Sequence, residues 1–358
     1  MNGDLIYKIM ADQITPKEHP WLMRTLAVLS GVYGWGVSLH KSIYDRGWLA
    51  GHRVKRPVIS IGNITVGGVG KTPMTAAIGR YLEQQKRKAI ILLRGYRSHR
   101  LDRLDRKAVN DEVLFLQKQL PGTQVISGRD RVRHARMALE NDAADVVVLD
   151  DGFQHRRLKR DLDIVAIDAT NPFGNGYLIP RGILREPVCA LRRADMIVLT
   201  KSDLGAANIE SIEDVLRKAG VHAPVIHAVH RPHHLEHFPD ARRVDLHTVR
   251  GHSVCLLSAL GDPLSFERLV QAQGAITRHH FRFRDHHWFR QAEIQRIVER
   301  CIQQKISYLI TTAKDAVRLQ PFIHLLPAEL TVLVLIISVE FTHERELFFQ
   351  RIDSVLQR

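Results

Sequence analysis

Short apolar runs alternate with helix-like segments along the first two thirds of the chain. Runs rich in β-branched residues predict buried strands at Val58–Ile61, Ala89–Leu93, Gln124–Ser127, Asp145–Leu149, Ile164–Ile167 and Met196–Leu199. Helices are predicted between strands at Pro73–Gln85, Glu112–Leu120 and Asp130–Asn141. Continuously apolar strands that alternate with helices indicate a mostly parallel sheet with helices on both faces. We therefore predict an α/β fold.

The pattern changes at Val225–Arg250, which is rich in His, Pro and Arg and lacks clear periodicity, so we expect a linker or domain boundary there. A second α/β unit is predicted after it, with strands and helices at Val254–Leu257, Pro263–Gln273, Gln291–Gln304, Tyr308–Thr311 and Thr331–Ile337. The expected organisation is an N-terminal segment, residues 1–49, then a main domain, residues 50–235, and a smaller C-terminal α/β domain, residues 236–358.

An apolar segment near the N-terminus, Leu26–Leu39, is shorter than the ~20 residues that span a bilayer. Aromatic and basic residues surround it, of the kinds that favour the membrane interface and anionic headgroups. They are Trp21, Arg24, Tyr33, Trp35, Lys41, Tyr44, Arg46, Trp48, Arg53, Lys55 and Arg56. We predict that Trp21–Leu49 is a helix lying on or dipping into a membrane surface. The alternative is an ordinary helix packed on the core.

The charge balance points to an anionic partner, because the 358-residue chain carries a formal net charge of +14. Nucleic acid, anionic lipid and phosphorylated small molecules all fit, and charge alone does not choose among them. No helix-turn-helix, RRM or zinc pattern supports nucleic acid. The three cysteines form no CxxC pair, which disfavours a disulfide framework or a zinc ribbon.

A glycine-rich loop follows the strand Val58–Ile61 and precedes a predicted helix. It consists of Thr65, Val66, Gly67, Gly68, Val69, Gly70, Lys71 and Thr72. Glycines let main-chain N–H groups face phosphate oxygens, and the helix N-terminus adds its positive dipole end. Lys71 is placed to reach the β and γ phosphates, and Thr72 to put its hydroxyl on Mg²⁺. Thr65 stands where the usual P-loop has its first glycine. The alternative is a chance turn.

Two carboxylates, Asp150 and Asp151, end the apolar run Asp145–Leu149. Ligands of an open α/β sheet bind beyond the carboxyl ends of its strands, where a carboxylate can hold the Mg²⁺ of a nucleotide. The alternative is a plain Asp-Asp-Gly turn. The spacing does not say which carboxylate would hold the metal.

Together the motifs resemble the tetraacyldisaccharide 4'-kinase family of lipid A biosynthesis, in the family's order from about residue 20 to about residue 340. The matching segments are Gly62–Pro73, Leu93–Tyr96, Asn110–Glu112, Asp150–His155, Phe173–Gly176, Pro180–Pro187, Thr200–Asp203, Asp285–His287 and Thr311–Ala316. The sequence departs from the family pattern at Arg97, Asn110 and Ala313.

The resemblance implies a P-loop kinase that uses ATP and Mg²⁺. It implies transfer of the γ-phosphate to the 4'-hydroxyl of a tetraacylated glucosamine disaccharide 1-phosphate, a lipopolysaccharide precursor. It also implies work at the cytoplasmic face of the inner membrane of a Gram-negative bacterium, as a peripheral or monotopic protein. Nucleic acid and an obligate protein partner are not expected.

Residue roles carried over from the resemblance start with Asp111 as the base for the acceptor hydroxyl, supported by His286. Lys71 would stabilise charge on the transferring group. Acceptor or phosphate contacts would come from Arg94, Tyr96, Gln154, His155, Arg181 and Arg185. The alternatives from the residues alone are structural: Asp111 as an N-cap, His286 as a loop histidine and each Arg as a surface charge.

The alternative function is a P-loop GTPase or ATPase switch, including a metallochaperone-like protein. Thr200–Asp203 has the form of the guanine-reading motif of GTPases, with Thr in the place of Asn. A nucleic-acid-dependent ATPase and a binding-only protein are further alternatives.

Overall fold

The computed structural model of the chain describes residues 9–10, 19–95, 111–140, 144–285 and 287–357. Spatial proximity divides the chain into two units. The first unit contains residues 1–96, 120–229 and 341–358, and the second contains residues 97–119 and 230–340. Each unit consists of more than one stretch of the chain. The domain ranges expected from the sequence remain predictions.

The described strands, β1 to β12, are Val58–Gly62, Ala89–Leu93, Gln124–Ser127, Val146–Asp150, Leu162–Asp168, Met196–Thr200, Val225–His237, Arg243–Val244, Ser253–Ser258, Ile276–Arg282, Tyr308–Thr312 and Thr331–His343. The described α-helices of seven or more residues are numbered α1 to α9. They are Pro20–Asp45, Lys71–Gln84, Asp111–Gln119, Arg131–Glu140, Ile209–Lys218, Pro263–Gln271, Gln291–Gln303, Ala313–Leu319 and Arg345–Leu356.

The sheet of the first unit has the strand order β7-β6-β5-β1-β4-β2-β3, and all these neighbours are parallel. Every residue of β1, β2, β4 and β6 is buried, as expected for strands covered on both faces. The predicted mostly parallel α/β sheet is confirmed. Ile61 pairs with Asp150, so the loop after β1 and the acidic pair at the end of β4 lie at the same edge of the sheet.

In the second unit, β10, β9, β11 and β12 are consecutive neighbours and pair in parallel. The short β8 pairs antiparallel with β7. The segment Val225–Arg250, where a linker or domain boundary was expected, contains β7 and β8, and the division between the two units falls within it, after Val229. Several β7 side chains, such as His233, are only partly buried or exposed, so the strand carries His, Pro and Arg without a clean apolar alternation.

Helix α1 lies in the first unit. Its buried residues Met23, Leu26 and Ser30 lie on one side, and Trp21, Val32 and Trp35 are exposed. None of the described helices combines the length and apolarity needed to cross a bilayer.

Candidate active site

The phosphate loop joins β1 to α2 and is attached to the segment that ends at Arg185. Thr65 forms an antiparallel bridge with Leu184, and the Val66 N–H donates to the Ile183 carbonyl at 2.7 Å. The Asn63 amide donates to the Thr65 carbonyl at 2.6 Å. The first part of the loop is thus fixed by hydrogen bonds, whereas Val66, Gly67 and Gly68 are exposed.

Gly70 is the turning point of the loop, with a φ of 83° in the left-handed region that favours glycine. Helix α2 begins directly after it at Lys71, two residues earlier than predicted, and Pro73 occupies the first turn, where its missing N–H costs nothing. Thr72 lies half-buried in the same turn. Lys71 and the first amides of α2 therefore stand at the helix N-terminus, where anions bind.

A buried hydroxyl supports the loop from β6. Thr200 Oγ1 lies 2.9 Å from the Val69 carbonyl oxygen and 3.3 Å from that of Ile167. The next residue, Lys201, forms an ion pair with Asp168 at the end of β5. Within the described residues, the Thr200–Asp203 motif is thus tied to the phosphate loop and to the strand ends.

The acidic pair is held in place by a buried arginine that the sequence did not single out. Arg131 donates to the Asp150 carbonyl at 2.8 Å and to the Asp151 carbonyl at 3.0 Å. Asp151 has a φ of 53°, a left-handed conformation that costs energy for a residue with a Cβ atom. Bonds from one guanidinium to successive carbonyls stabilise this turn.

The Asp151 carboxylate lies among cations. Arg185 contacts it with both terminal nitrogens, at 2.8 and 3.3 Å, and Lys71 Nζ lies at 3.7 Å. Burial alone would raise the pKa of Asp151, but Lys71, Arg185 and Arg131 outweigh it and lower the pKa to about 2. Asp151 is therefore an anion at every physiological pH.

The remaining residues of this edge form a polar network. Gln154 donates to the Asn63 carbonyl at 2.8 Å and to Glu186 at 3.0 Å, and Arg193 pairs with Glu186 at 2.7 Å. Among the described residues, Gln154 Oε1 and the Nε2 of His155 have no hydrogen-bond partner. Burial, then the nearby Arg131 and other arginines, lower the pKa of His155 to about 4, so this imidazole is neutral at pH 7.

Arg181 and Arg185 lie on a segment that contacts α1. The Arg181 guanidinium stacks on Tyr177, with 3.5 Å from Cζ to the ring centroid. The Arg181 N–H donates to Ser30 Oγ at 3.1 Å, and the Tyr33 hydroxyl donates to the Arg185 carbonyl at 3.0 Å. The inward face of α1 is thus attached to the segment that carries two predicted acceptor-binding residues.

In the second unit, Asp111 occupies the first turn of α3, and its side chain is buried. Its carboxylate accepts a short hydrogen bond from the fully buried Arg318, and Lys314 Nζ lies 3.9 Å away. Lys314 also lies 3.4 Å from Asp285 and 3.9 Å from Glu112. The Asp111 carboxylate is therefore buried beside two basic side chains, which its interpretation as a plain N-cap does not explain.

Two predicted site residues, Tyr96 and His286, lie outside the described residues, as do Arg97 and Asn110. Arg94 follows β2 directly and is exposed. The predicted roles of these residues remain predictions.

Comparisons with known proteins agree with this geometry. The LpxK family model, described as tetraacyldisaccharide-1-P 4'-kinase, matches residues 22–357. The chain belongs to this family.

Relatives named tetraacyldisaccharide 4'-kinase support the assignment over most of the chain. The protein from Anaeromyxobacter dehalogenans (strain 2CP-C) is 41% identical over 295 residues, covering 79% of this chain and 78% of the relative. That from Anaeromyxobacter sp. (strain Fw109-5) is 36% identical over 348 residues, covering 94% and 92%. The crystal structure of LpxK from Aquifex aeolicus in complex with ATP matches with a TM-score of 0.73 at 26% identity, covering 94% and 99%.

The family assignment confirms the predicted enzyme class, an ATP-dependent kinase of lipid A biosynthesis, and does not favour a GTPase switch or a metallochaperone-like protein. The structure brings Lys71, Asp150, Asp151 and Arg185 to one edge of the first unit. Sequence reasoning missed Arg131 and Arg318. An isolated arginine reads as a surface charge, and only the position of Arg318 one helical turn after Asp315 hinted at its pairing.

Proposed function

We propose that the Thr65–Thr72 loop holds the terminal phosphates of ATP and that Asp111 receives the proton of the acceptor's 4'-hydroxyl. The observation that carries the first part is the left-handed Gly70 directly before Lys71 at the start of α2. This arrangement places glycine amides, a helix N-terminus and an ammonium group together, and each of them favours phosphate oxygens.

Charge stabilisation would come from Lys71 and the loop amides. Lys71 already lies 3.7 Å from the Asp151 carboxylate, so this anion holds the ammonium group near the loop before a nucleotide binds. Negative charge on the transferring phosphoryl group is stabilised best by donors that need no rearrangement. Replacing Lys71 therefore removes a preorganised cation.

A magnesium ion fits the donor set at the same edge. Thr72, Asp150 and Asp151 supply oxygen ligands, which Mg²⁺ prefers, and the low pKa of Asp151, about 2, keeps that carboxylate ionised. The described residues contain no cluster of three or more His, Cys, Asp or Glu with metal-ligand geometry, so phosphate oxygens and water would complete the coordination. The ion would neutralise charge on the β and γ phosphates.

The transfer step requires modest proton chemistry. As the acceptor oxygen bonds to the γ-phosphorus, the bond from that phosphorus to the β–γ bridging oxygen breaks, ADP leaves, and the hydroxyl proton passes to the Asp111 carboxylate. The transition state of phosphoryl transfer is loose in most analyses, so the base needs correct position more than high basicity. A carboxylate held by Arg318 meets that requirement.

The acceptor is anionic and lipidic, and two features suit it. The unpartnered Gln154 Oε1 and His155 Nε2 offer polar contacts, and Arg181 and Arg185 offer positive charge for a sugar phosphate. We assign the acceptor's 1-phosphate to the two arginines.

The outer face of α1 suits a membrane surface at which such a lipid resides. Trp21, Val28, Val32, Trp35 and Leu39 are all at least 45% exposed, and their spacing of seven, four, three and four residues places them on one side of the helix. Trp and aliphatic residues on one face and basic residues nearby characterise helices that lie in the interface. We propose peripheral binding to the cytoplasmic face of the inner membrane.

Two variants separate the proposed roles. Lys71→Ala is expected to abolish transfer and weaken binding of ATP, measured by equilibrium binding of a fluorescent nucleotide. Asp111→Asn is expected to bind nucleotide normally and to lower kcat by about 10²-fold or more, because the carboxylate that accepts the proton is lost. Normal turnover by Asp111→Asn refutes its role as the base, and normal ATP affinity in Lys71→Ala refutes the role of the loop lysine.

A further inference from the structure

Arg318, which contacts the Asp111 carboxylate, itself forms a buried ion pair with Asp315. Asp315 and Arg318 lie one turn apart on α8, and neither side chain is exposed to solvent. We propose that Arg318, held by Asp315, is a positioning residue that fixes the Asp111 carboxylate for catalysis. This inference rests on the proposed function of Asp111 as the base.

The Asp315 carboxylate is held in place by several hydrogen bonds. Its carboxylate accepts hydrogen bonds from the Ala259 N–H at 3.1 Å, the Thr312 hydroxyl at 2.7 Å and Arg318 at 2.9 Å. Thr312 also caps α8 through the Asp315 N–H. Bonds from three directions hold the carboxylate in one orientation, so the arginine it binds is held as well.

Arg318 transmits that position to Asp111. One terminal nitrogen, Nη1, contacts Asp315 and lies 3.3 Å from the Ala259 carbonyl, and the other, Nη2, donates to Asp111. A guanidinium is rigid and planar, so fixing one nitrogen fixes the direction of the other. A buried cation is costly without counterions, and Asp111 and Asp315 together supply them.

A purely structural ion pair would predict a different result from a positioning role. Loss of a structural pair lowers stability and leaves turnover of the remaining folded enzyme intact. Loss of positioning lowers kcat, because misplacing a reacting group by about 1 Å can cost about 10²-fold in rate. The two roles are therefore distinguished by the kcat of the folded variants, and by whether the loss of kcat requires Asp111.

Arg318→Lys is the principal test, since it keeps the charge and loses the planar fork. We expect kcat to fall by about tenfold or more, with the KM for ATP changed by less than about twofold, at a temperature well below the melting point of the variant. Asp315→Asn, which keeps the shape but removes the charge that anchors Arg318, is expected to lower kcat in the same way. Both variants are checked for folding by circular dichroism and thermal melting.

The matched control is Lys118→Met on the same helix as Asp111. Lys118 pairs with Glu236 at 2.7 Å and is 43% exposed, so its loss should leave kcat unchanged. The double variant Asp111→Asn/Arg318→Lys should turn over no more slowly than Asp111→Asn alone, because Arg318 acts through Asp111.

The outcomes distinguish the inference from the function on which it rests. Wild-type kcat in folded Arg318→Lys and Asp315→Asn overturns the positioning role while leaving Asp111 as the base. Multiplied losses in the double variant overturn it as well, because Arg318 would then act independently. Wild-type kcat in Asp111→Asn instead rejects the proposed base, and the inference with it.

Discussion

Substituting Arg185 by Met tests the electrostatic arrangement around Asp151. Arg185 makes two contacts to the Asp151 carboxylate, at 2.8 and 3.3 Å, and one to Asn63 Oδ1 at 3.2 Å. Removing one member of a fully buried ion pair costs about 3–5 kcal/mol, because the other charge stays buried. The cost is smaller here, since the side chains of Arg185 and Asp151 are 16% and 12% exposed. Lys71 remains 3.7 Å from Asp151 and offsets part of that cost. We therefore expect the free energy of unfolding to fall by about 2 kcal/mol.

The assay is urea unfolding of both proteins at several pH values. Asp151 has a pKa lowered from 3.8 to about 2, so its stabilising contribution is complete above pH 3.8 and is lost as the pH falls through about 2. The difference between wild type and Arg185→Met should therefore be constant from pH 8 to pH 5 and shrink below pH 4. In thermal melts, an unfolding entropy of roughly 2.1 cal/mol/K per residue converts about 2 kcal/mol into a shift of about 3 °C.

Two companion variants sharpen the result. Arg217→Met removes an exposed pair with Asp214 and should change stability little. In the double variant Arg185→Met/Asp151→Asn, the two losses should be less than additive, because each single change removes the same contact. Unchanged stability of Arg185→Met, or additive losses in the double variant, would refute the account of this site.

Two further predictions concern the phosphate loop and the N-terminal helix. Thr200→Val removes the hydroxyl that contacts the Val69 carbonyl, so the KM for ATP should rise by about 3- to 10-fold. Thr200→Ser keeps the hydroxyl and should stay near wild type. Equal KM values for the two variants in steady-state kinetics would count against a role of this contact in ATP binding. Trp35→Glu places a charge on the exposed apolar face of α1 and should reduce flotation with anionic vesicles. Ser38→Glu places the same charge at an exposed position outside that face and should not reduce it. Equal flotation of the two variants would refute membrane binding through this face.

Sequence patterns predicted the elements of the first unit because its strands are continuously apolar and its loop has a recognised phosphate-binding form. The predicted strand Asp145–Leu149 lies within one residue of β4, Val146–Asp150. Helix α2 begins two residues before the predicted start at Pro73, because the conformation of Gly70 lets the helix begin at Lys71. Such cap geometry depends on the backbone, which residue types alone do not determine.

The sequence could not predict the partners of buried charges. Arg131 contacts residues 19 and 20 positions away, and Arg318 contacts Asp111 over a separation of 207. The distance between two residues along the chain does not predict these contacts, because they depend on the order of the strands in the sheet. The same reason explains why β7 was not predicted as a strand. Its sequence contains partly exposed histidines, as a linker would, and its pairing with β6 and β8 is visible only in the structure.

The central claim is that this chain moves the γ-phosphate of ATP onto a lipid sugar. The most direct measurement incubates the purified protein with γ-labelled ATP, Mg²⁺ and the tetraacylated disaccharide 1-phosphate in detergent, and then separates lipid from nucleotide. We predict label in the lipid, bound at the 4'-position and absent with Lys71→Ala. Release of labelled phosphate with none in the lipid, or label in the lipid that does not depend on Lys71, would contradict the account.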